Sequence, residues 1–251
     1  MTTLALYSNK GGVGKTAAAV NLSYLAAQTG AKTLIFDLDP QASATYYYRV
    51  KPKLKSGTKG FIKGGKKLLK SIIATDYENL DLLPADFTHR NLESAFDKLK
   101  RPKQRLRKIL RPLKDEYDFI ILDCPATISM LAENIFNAVD YTLVPLIPTT
   151  LSIRSHKLLL TFCQKNNYDT AKIYTFFSMV DRRKTMHREL MMMVLKEFHG
   201  VLRCLIPNLA QIEKMGIKRE PVAAFSPESV ASKSYKNLWA KIRETILSVT
   251  I

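Results

Sequence analysis

Residues 8–16, Ser-Asn-Lys-Gly-Gly-Val-Gly-Lys-Thr, have the composition and spacing of a phosphate-binding loop. They follow an apolar run at Leu4–Tyr7 and precede a helix-forming segment at Ala17–Ala27, so the loop joins a strand to a helix. Glycines let backbone N–H groups approach phosphate oxygens, and the helix N-terminus adds a favourable dipole. In such loops the lysine, here Lys15, contacts the β- and γ-phosphates, and the hydroxyl, here Thr16, ligates Mg²⁺.

The loop departs from the simplest phosphate-loop pattern at one position. The pattern Gly-x4-Gly-Lys-Thr requires a glycine where this chain has Asn9, and a second lysine, Lys10, follows it. A glycine-rich turn with incidental lysines is the alternative interpretation. It requires the glycines, the Lys-Thr pair, the preceding strand and the following helix to coincide by chance. We therefore favour nucleotide binding.

Acids that could serve a bound nucleotide follow two predicted buried strands. Asp37 ends the run Thr33–Asp37, and the strand period of two puts Asp39 on the same side. Asp123 ends the run that begins at Phe119, as expected of a Walker B strand, whose acid binds Mg²⁺ through water. Each acid alone is also consistent with a capped turn. Because open parallel sheets bind ligands at the carboxyl ends of their strands, the combination predicts a site there.

Three motifs resemble the signatures of the ParA/MinD family of deviant Walker A ATPases, in order and spacing. They are Lys10–Thr16, Asp37–Gln41 and Ile121–Pro125. Weaker similarities continue to the C-terminus, at Ser178–Arg183, at Ile206–Asn208 and in the segment after Ser229. The resemblance therefore covers essentially the whole chain, and it is to ParA proteins without an N-terminal helix-turn-helix domain.

The resemblance implies ATP and Mg²⁺ as cofactors and a role for individual residues. Lys15 would be the ordinary Walker lysine, and Lys10 would reach the ATP of the partner subunit in a nucleotide-sandwich homodimer, like an arginine finger supplied in trans. Asp39 would position water for hydrolysis, and Asp37 would relay the nucleotide state. The implied metal site is Thr16, Asp37 and Asp123, and the implied nucleotide contacts are Lys10, Gly11, Gly12, Val13, Gly14, Lys15, Thr16 and Ala17, with adenine at Pro207 and Asn208.

Apolar runs of strand length alternate with helix-length segments, which predicts β-α-β units. After the first run, strands are predicted at 33–37, 79–84, 119–123, 141–146, 172–177 and 201–206, and helices at 17–27, 129–139, 153–164, 186–198 and 229–247. Runs that are apolar at nearly every position indicate strands covered on both faces. We predict an α/β P-loop NTPase fold, a mostly parallel twisted sheet with helices on both faces, as a single domain over residues 1–251.

Two of the predicted helices carry distinctive apolar residues. The helix at 186–198 contains three consecutive methionines, Met191–Met193, which we assign to core packing rather than to a binding surface. The last helix places one apolar stripe toward the core, made of Tyr235, Leu238, Trp239, Ile242 and Ile246.

The charge balance points to a polyanionic partner. The chain has 39 Lys+Arg against 22 Asp+Glu, a net charge of +17. Two stretches, 49–70 and 98–114, each hold nine of these cations and no acid. A looser third group, Arg182, Arg183, Lys184 and Arg188, follows a predicted strand. A basic run alone is often only a solvated face, but two within one domain favour nucleic acid or an acidic membrane surface.

Other chemistries find little support in the sequence. The cysteines, at 124, 163 and 204, form no Cys-x-x-Cys pair, and the histidines, at 89, 156, 187 and 199, lack metal-ligand spacing. Cys124 is interpreted as an inert buried thiol. No signal peptide and no apolar run long enough for a transmembrane segment are visible, so we expect a cytoplasmic protein.

Three functions are consistent with these observations. The first is a ParA-type ATPase that dimerises with ATP, binds DNA non-specifically at the nucleoid and positions a plasmid, a chromosome origin or a protein assembly such as carboxysomes. An adaptor or ParB-like protein would reset it by stimulating hydrolysis. The second is a MinD-like membrane-associated ATPase of the division site, which predicts a basic amphipathic helix at the extreme C-terminus. The third, a metallocluster carrier, is disfavoured by the missing cysteine pairs.

Overall fold

Eight segments, most of them apolar on both faces, pair as the strands of one sheet. In chain order they are β1 (Thr2–Leu6), β2 (Thr33–Asp37), β3 (Ile73–Ala74), β4 (Leu80–Leu83), β5 (Phe119–Asp123), β6 (Tyr141–Leu146), β7 (Ile173–Val180) and β8 (Val201–Pro207). Their spatial order is β3-β4-β2-β5-β1-β6-β7-β8. β3 pairs antiparallel with β4, and the other neighbouring pairs are parallel. The predicted mostly parallel sheet is confirmed.

The computed structural model describes residues 1–51, 57–85 and 91–247. Three features of the sequence lie partly or wholly outside the described residues: the basic stretch at 49–70 in part, His89, and the C-terminal residues 248–251. A MinD-like protein is expected to carry its amphipathic helix at that C-terminus. Among the helices within those ranges, none has the length and apolar character needed to cross a membrane.

Helices connect the strands and cover the sheet. They are α1 (Lys15–Ala27), α2 (Ser43–Tyr47), α3 (Gly57–Lys63), α4 (Lys66–Leu69), α5 (Leu92–Asp97), α6 (Arg105–Leu110), α7 (Met130–Ala138), α8 (Thr150–Lys165), α9 (Thr185–Glu197), α10 (Ala210–Lys218), α11 (Val222–Phe225) and α12 (Val230–Ile242). The five predicted helices are present, with ends shifted by a few residues. The last one ends at Ile242 as an α-helix and continues as a π-helical turn at Arg243–Leu247.

Strand β1 shows how two cores form on opposite faces of the sheet. Successive side chains of a strand point to opposite faces. Leu4 and Leu6 therefore join the core beneath α1 and α12, whereas Ala5 joins the core beneath α7 and α8. The prediction of helices on both faces is confirmed, and the fold is that of P-loop ATPases.

The apolar stripe predicted on the last helix is buried, but two of the three consecutive methionines are exposed. The stripe from Tyr235 to Ile246 packs into the same core as α1. In α9, by contrast, Met192 is 57% exposed and Met193 is 38% exposed, and Met191 is half-buried. Consecutive residues of a helix point in directions about 100° apart, so a run of three cannot share one face. Val194 is a fully buried apolar side chain of this helix, and Met191 packs against the same cluster, so the assignment to the core holds for Met191 in part and was wrong for Met192 and Met193.

Candidate functional site

The phosphate-binding loop is held in the conformation that its glycines predict. Gly12 and Gly14 have φ angles of 69° and 91°, in the left-handed region that disfavours residues with a Cβ. Helix α1 begins at Lys15, directly after Gly14, so the unpaired N–H groups of its first turn face the loop. This arrangement suits an anion such as a phosphate group.

Strand β7 supports the loop from behind. The buried hydroxyl of Ser178 donates a hydrogen bond of 2.8 Å to the carbonyl of Val13. A Cβ at Gly14 would lie 3.0 Å from the Ser178 hydroxyl oxygen, a tight contact that adds to the strain of a side chain at this φ. The next residue, Met179, has a φ of 52° at a register shift between β7 and β8. This bulge turns Met179 toward the cavity described below.

Lys15 is a buried cation at the start of α1. Its Nζ donates a hydrogen bond of 3.3 Å to the carbonyl of Lys10, across the loop. Burial lowers the pKa of Lys15, and the nearby Asp123 carboxylate partly opposes that shift. A phosphate group bound in the loop would supply the missing counter-charge, so the position suits phosphate recognition.

Asp123, at the end of β5, is fully buried. Among the described residues, no donor lies within normal hydrogen-bond distance and angle of either of its carboxylate oxygens. Burial, followed by repulsion from Asp37, raises the pKa of Asp123 well above its ordinary value, and the nearby Thr16 hydroxyl and Lys15 partly offset this. An unpartnered buried carboxylate is costly unless a ligand completes it. Carboxylate and hydroxyl oxygens are ligands of Mg²⁺, so Asp123 and Thr16 fit that ion.

Asp37 lies opposite Asp123 in the register of neighbouring strands β2 and β5, but its carboxylate is already occupied. Thr45 donates to Oδ2 through both its N–H and its hydroxyl, at 2.8 and 2.7 Å, and the N–H of Asp39 donates to Oδ1 at 3.1 Å. Burial raises the pKa of Asp37 to about 6, although the Thr45 hydrogen bonds act against the shift. The observed contacts make Asp37 a support for the loop that carries Asp39.

The loop, Asp39 and a group of C-terminal residues line one cavity of about 380 Å³. That volume is within the range of small-molecule sites. The cavity is also lined by Pro207, at the end of β8, and by Asn208, in the segment that follows. The N–H of Asn208 donates to the carbonyl of Val180 at 3.0 Å, which fixes this segment to β7. The structure thus brings the predicted phosphate contacts from Gly11 to Ala17 and the predicted adenine contacts to one cavity, and their roles stay predictions.

Lys10 is not among the described residues that line the cavity. Its Nζ donates a hydrogen bond of 3.0 Å to the buried hydroxyl of Ser152 in α8. The adjacent Asn9 accepts one of 2.7 Å from Ser155 of the same helix. In the single chain, the Lys10 side chain is therefore bound to α8 and does not line the cavity of its own subunit.

Several cavity-lining residues were missed by sequence reasoning. They are Ser43, Tyr47, Met179, Ile212, Glu213 and Tyr235. Their segments are far apart in the chain and carry no phosphate-loop signature. Tyr235 belongs to the apolar stripe predicted for the last helix; its ring is buried and also borders the cavity. Ser178 lay within a weak similarity whose role the sequence did not reveal.

The cysteine and histidine residues to which the sequence assigns no catalytic role show no sign of one in the structure. Burial raises the pKa of the Cys124 thiol well above its ordinary value, as expected of an inert buried thiol. Burial lowers the pKa of His156 to about 4, and its ring packs against Phe198. Across the described parts of the chain, His, Cys, Asp and Glu side chains form no cluster of three that could hold a metal ion.

Comparison with known proteins identifies relatives over the whole chain. A family model described as an AAA domain matches residues 1–175. The virulence plasmid ParA family protein pGP5-D of Chlamydia psittaci is 30% identical over 252 residues, covering 99% of this chain and 96% of that protein. The chromosome-partitioning ATPase Soj of Treponema pallidum is 30% identical over 249 residues, covering 96% of each.

A solved structure has the same fold. It is a plasmid partition protein of Borrelia burgdorferi, described as putative, bound to AMPPNP. The TM-score is 0.81 at 25% sequence identity, and the match covers 98% of this chain and 99% of that one.

Proposed function

Because the chain belongs to the ParA family of partition ATPases, we propose that it hydrolyses ATP to switch between a DNA-bound dimer and a free state, and so positions a cargo. The observation that carries the ATPase part is Asp123, a buried carboxylate with unpartnered oxygens beside the phosphate loop. A plasmid, a chromosome origin or a protein assembly would be the cargo. The protein would then be associated with the nucleoid.

The residues of the cavity divide the chemistry among them. The loop N–H groups and Lys15 hold the phosphates, and the segment at Pro207 and Asn208 holds adenine. Asp39 orients the water that attacks the γ-phosphorus, giving ADP and phosphate. Mg²⁺, when bound through Thr16 and Asp123, supplies positive charge that offsets the charge of the transferring phosphoryl group.

Dimerisation would complete the site with Lys10. In the single chain this lysine is held by Ser152, away from the cavity. On pairing of two ATP-bound subunits, Lys10 would exchange that hydroxyl for the phosphates of the partner's ATP, because a phosphate is the stronger acceptor for an ammonium group. ATP would in this way stabilise the dimer.

DNA would bind through its phosphates, independently of sequence. The net charge of +17 supports this, since phosphate contacts by Lys and Arg provide most of non-specific affinity. An adaptor or ParB-like protein would stimulate hydrolysis and thereby release both the partner subunit and the DNA.

The test measures dimer mass, hydrolysis and retention of random-sequence duplex DNA with ATP, with ADP and without nucleotide. We expect dimerisation and DNA retention with ATP only. Lys15→Ala should weaken nucleotide binding about ten- to a hundredfold, because it removes charged hydrogen bonds. Lys218→Ala, at an exposed lysine of α10, is the matched control. DNA retention that is equal in all three nucleotide states would contradict the switch.

A further inference from the structure

One helical segment of the chain presents cations on one side only. It consists of a 3-10 turn at Pro102–Gln104, then α6, then a second 3-10 turn at Arg111–Leu113. We call the exposed cations of this segment, together with the exposed cation that directly precedes it and the one that directly follows it, the basic helical face. They are Arg101, Lys103, Arg107, Lys108, Arg111 and Lys114, all exposed.

The opposite side of this segment is committed to the protein core. Leu106, Ile109, Leu110 and Leu113 are buried, and they pack in the same core as α7. A basic amphipathic helix that binds a bilayer must insert its apolar side among the lipid chains. Here that side is occupied by the protein, so the segment offers charge without an insertable apolar surface.

A buried amide fixes the start of the segment. Asn134 of α7 is fully buried, and its Oδ1 accepts hydrogen bonds from the N–H groups of Arg105 and Leu106, at 2.9 and 3.1 Å. Its Nδ2 donates to the carbonyl of Pro102 at 2.8 Å. The backbone that carries the cations is therefore ordered before any partner binds, which lowers the entropy cost of binding.

The basic helical face also has few internal counter-charges. Lys103 pairs with Glu133. In the described part of the chain, the other five cations of the face have no ion pair with an acid. The other basic groups also contain a paired cation: Arg49 pairs with Asp76 and Glu220, while Arg182, Lys184 and Arg188 of the third group have no ion pair with an acid in the described part of the chain. In the third group, Arg183 is bound to both carboxylate oxygens of Asp181.

We propose that the basic helical face is the surface through which this protein contacts the phosphates of double-stranded DNA. This assignment rests on the proposed DNA-dependent function and adds the location of the contact. Arg107, Arg111 and Lys114 recur at intervals of four and three residues, so they line one side of the helical segment. Such a row can contact successive phosphates of a backbone without reading bases.

The experiment compares two variants that lose the same charge. One is Arg107→Gln with Lys108→Gln and Arg111→Gln. The matched control, in the third basic group, is Arg182→Gln with Lys184→Gln and Arg188→Gln. Binding to random-sequence duplex DNA with ATP is measured across a salt series, together with thermal unfolding and DNA-free ATP hydrolysis. These substitutions are at exposed positions, so both variants should fold and hydrolyse ATP like the wild type.

We expect the face variant to bind DNA at least about tenfold more weakly and its slope of log affinity against log salt to fall by about 2–3 units. The control variant should show clearly smaller decreases in DNA affinity and in the slope of log affinity against log salt. Wild-type affinity in the face variant, or equal losses in both variants, would overturn the assignment while leaving the proposed function intact. If the wild type itself does not bind DNA with ATP, the proposed function fails. Face-dependent binding to vesicles of anionic phospholipid in place of DNA would identify a membrane contact and also overturn the assignment.

Discussion

At the scale of single residues, two buried ionisable groups lie beside the phosphate loop: Lys15, which lines the cavity, and Asp123 at the end of β5. Each lacks a full set of partners in the chain: Lys15 contacts one carbonyl, and the Asp123 oxygens have no donor of ordinary geometry among the described residues. Buried polar groups without partners cost free energy. The free protein therefore carries a strain that a phosphate and a cation would relieve, which favours binding without any movement of these residues.

The first prediction is that Asp123→Asn stabilises the nucleotide-free protein and abolishes ATP hydrolysis. On folding, the Asp123 carboxyl must either be buried as a charge or take up a proton, and a neutral amide avoids both costs, so the free energy of unfolding should rise by about 1 kcal/mol or more. Because the pKa of Asp123 is higher in the folded than in the unfolded protein, this residue lowers the free energy of unfolding at neutral pH. The loss of stability becomes smaller as the pH falls and disappears below the unfolded pKa. Chemical unfolding from pH 4 to pH 8 checks this. The gain should shrink toward acid pH, and a variant less stable than the wild type throughout would contradict it.

The second prediction concerns Thr45, which holds the Asp37 carboxylate. Thr45→Val removes the 2.7 Å hydroxyl hydrogen bond to Asp37, whereas Thr45→Ser retains a hydroxyl. Loss of a hydrogen bond to a buried charge should cost about 1–3 kcal/mol. The cost attributable to Asp37 should be largest above pH 6, where the carboxylate is ionised, and should decline as the pH falls through its pKa of about 6. Urea unfolding at several pH values checks this, with Thr45→Ser as the control.

A cost of Thr45→Val that does not change with pH would contradict this account. Part of the cost is expected to be constant, because the Thr45 hydroxyl also accepts a hydrogen bond of 3.1 Å from the N–H of Ala85. The prediction therefore concerns the pH-dependent part alone.

At the scale of elements, the sequence predicted what local patterns determine. Strands such as β5 are apolar at nearly every position because helices cover both faces of the sheet, so their runs were recognisable. The loop was recognisable because phosphate binding demands glycine and lysine at fixed spacing. The two-residue strand β3 was missed because it is too short to show a period.

Features set by distant contacts could not be predicted. The bulge at Met179 arises where β7 shifts register against β8, and Glu213 reaches the cavity because α10 packs beside it. Neither leaves a local pattern. Met192 and Met193 were misassigned for a related reason: apolar composition indicates burial only where the helix has enough protein to pack against, and α9 buries one side alone.

The third prediction tests the orientation of α9. Met192→Gln should change the free energy of unfolding by less than about 0.5 kcal/mol, because the side chain is 57% exposed. Val194→Ala, two residues away and fully buried, should cost about 1–3 kcal/mol. Urea unfolding of the two variants measures both values. A large loss in Met192→Gln with little loss in Val194→Ala would mean that the helix is rotated from the position described.

At the scale of the whole molecule, the cavity and the basic helical face lie on different parts of the sheet. The cavity opens at the carboxyl ends of the strands, where the loop after β1 meets the segment after β8. The basic helical face is carried by a segment packed on the core beneath α7. Charge can therefore be removed from the basic helical face without changing a residue that lines the cavity.

The last prediction uses the position of Lys10 to determine which subunit it serves. In the single chain Lys10 contacts Ser152, whereas Asp39 lines the chain's own cavity. If Lys10 acts across the dimer, a dimer of one Lys10→Ala and one Asp39→Ala subunit contains one intact site, since the Lys10→Ala subunit keeps Asp39 and receives Lys10 from its partner. Each variant alone should be inactive. An equimolar mixture that exchanges subunits should recover about a quarter of wild-type hydrolysis per chain, because half of the dimers are mixed and each has one active site. No recovery, in a mixture whose subunit exchange is shown by mass-tagged chains, would mean that Lys10 acts within its own subunit, and the Ser152 contact would then have to break without dimerisation.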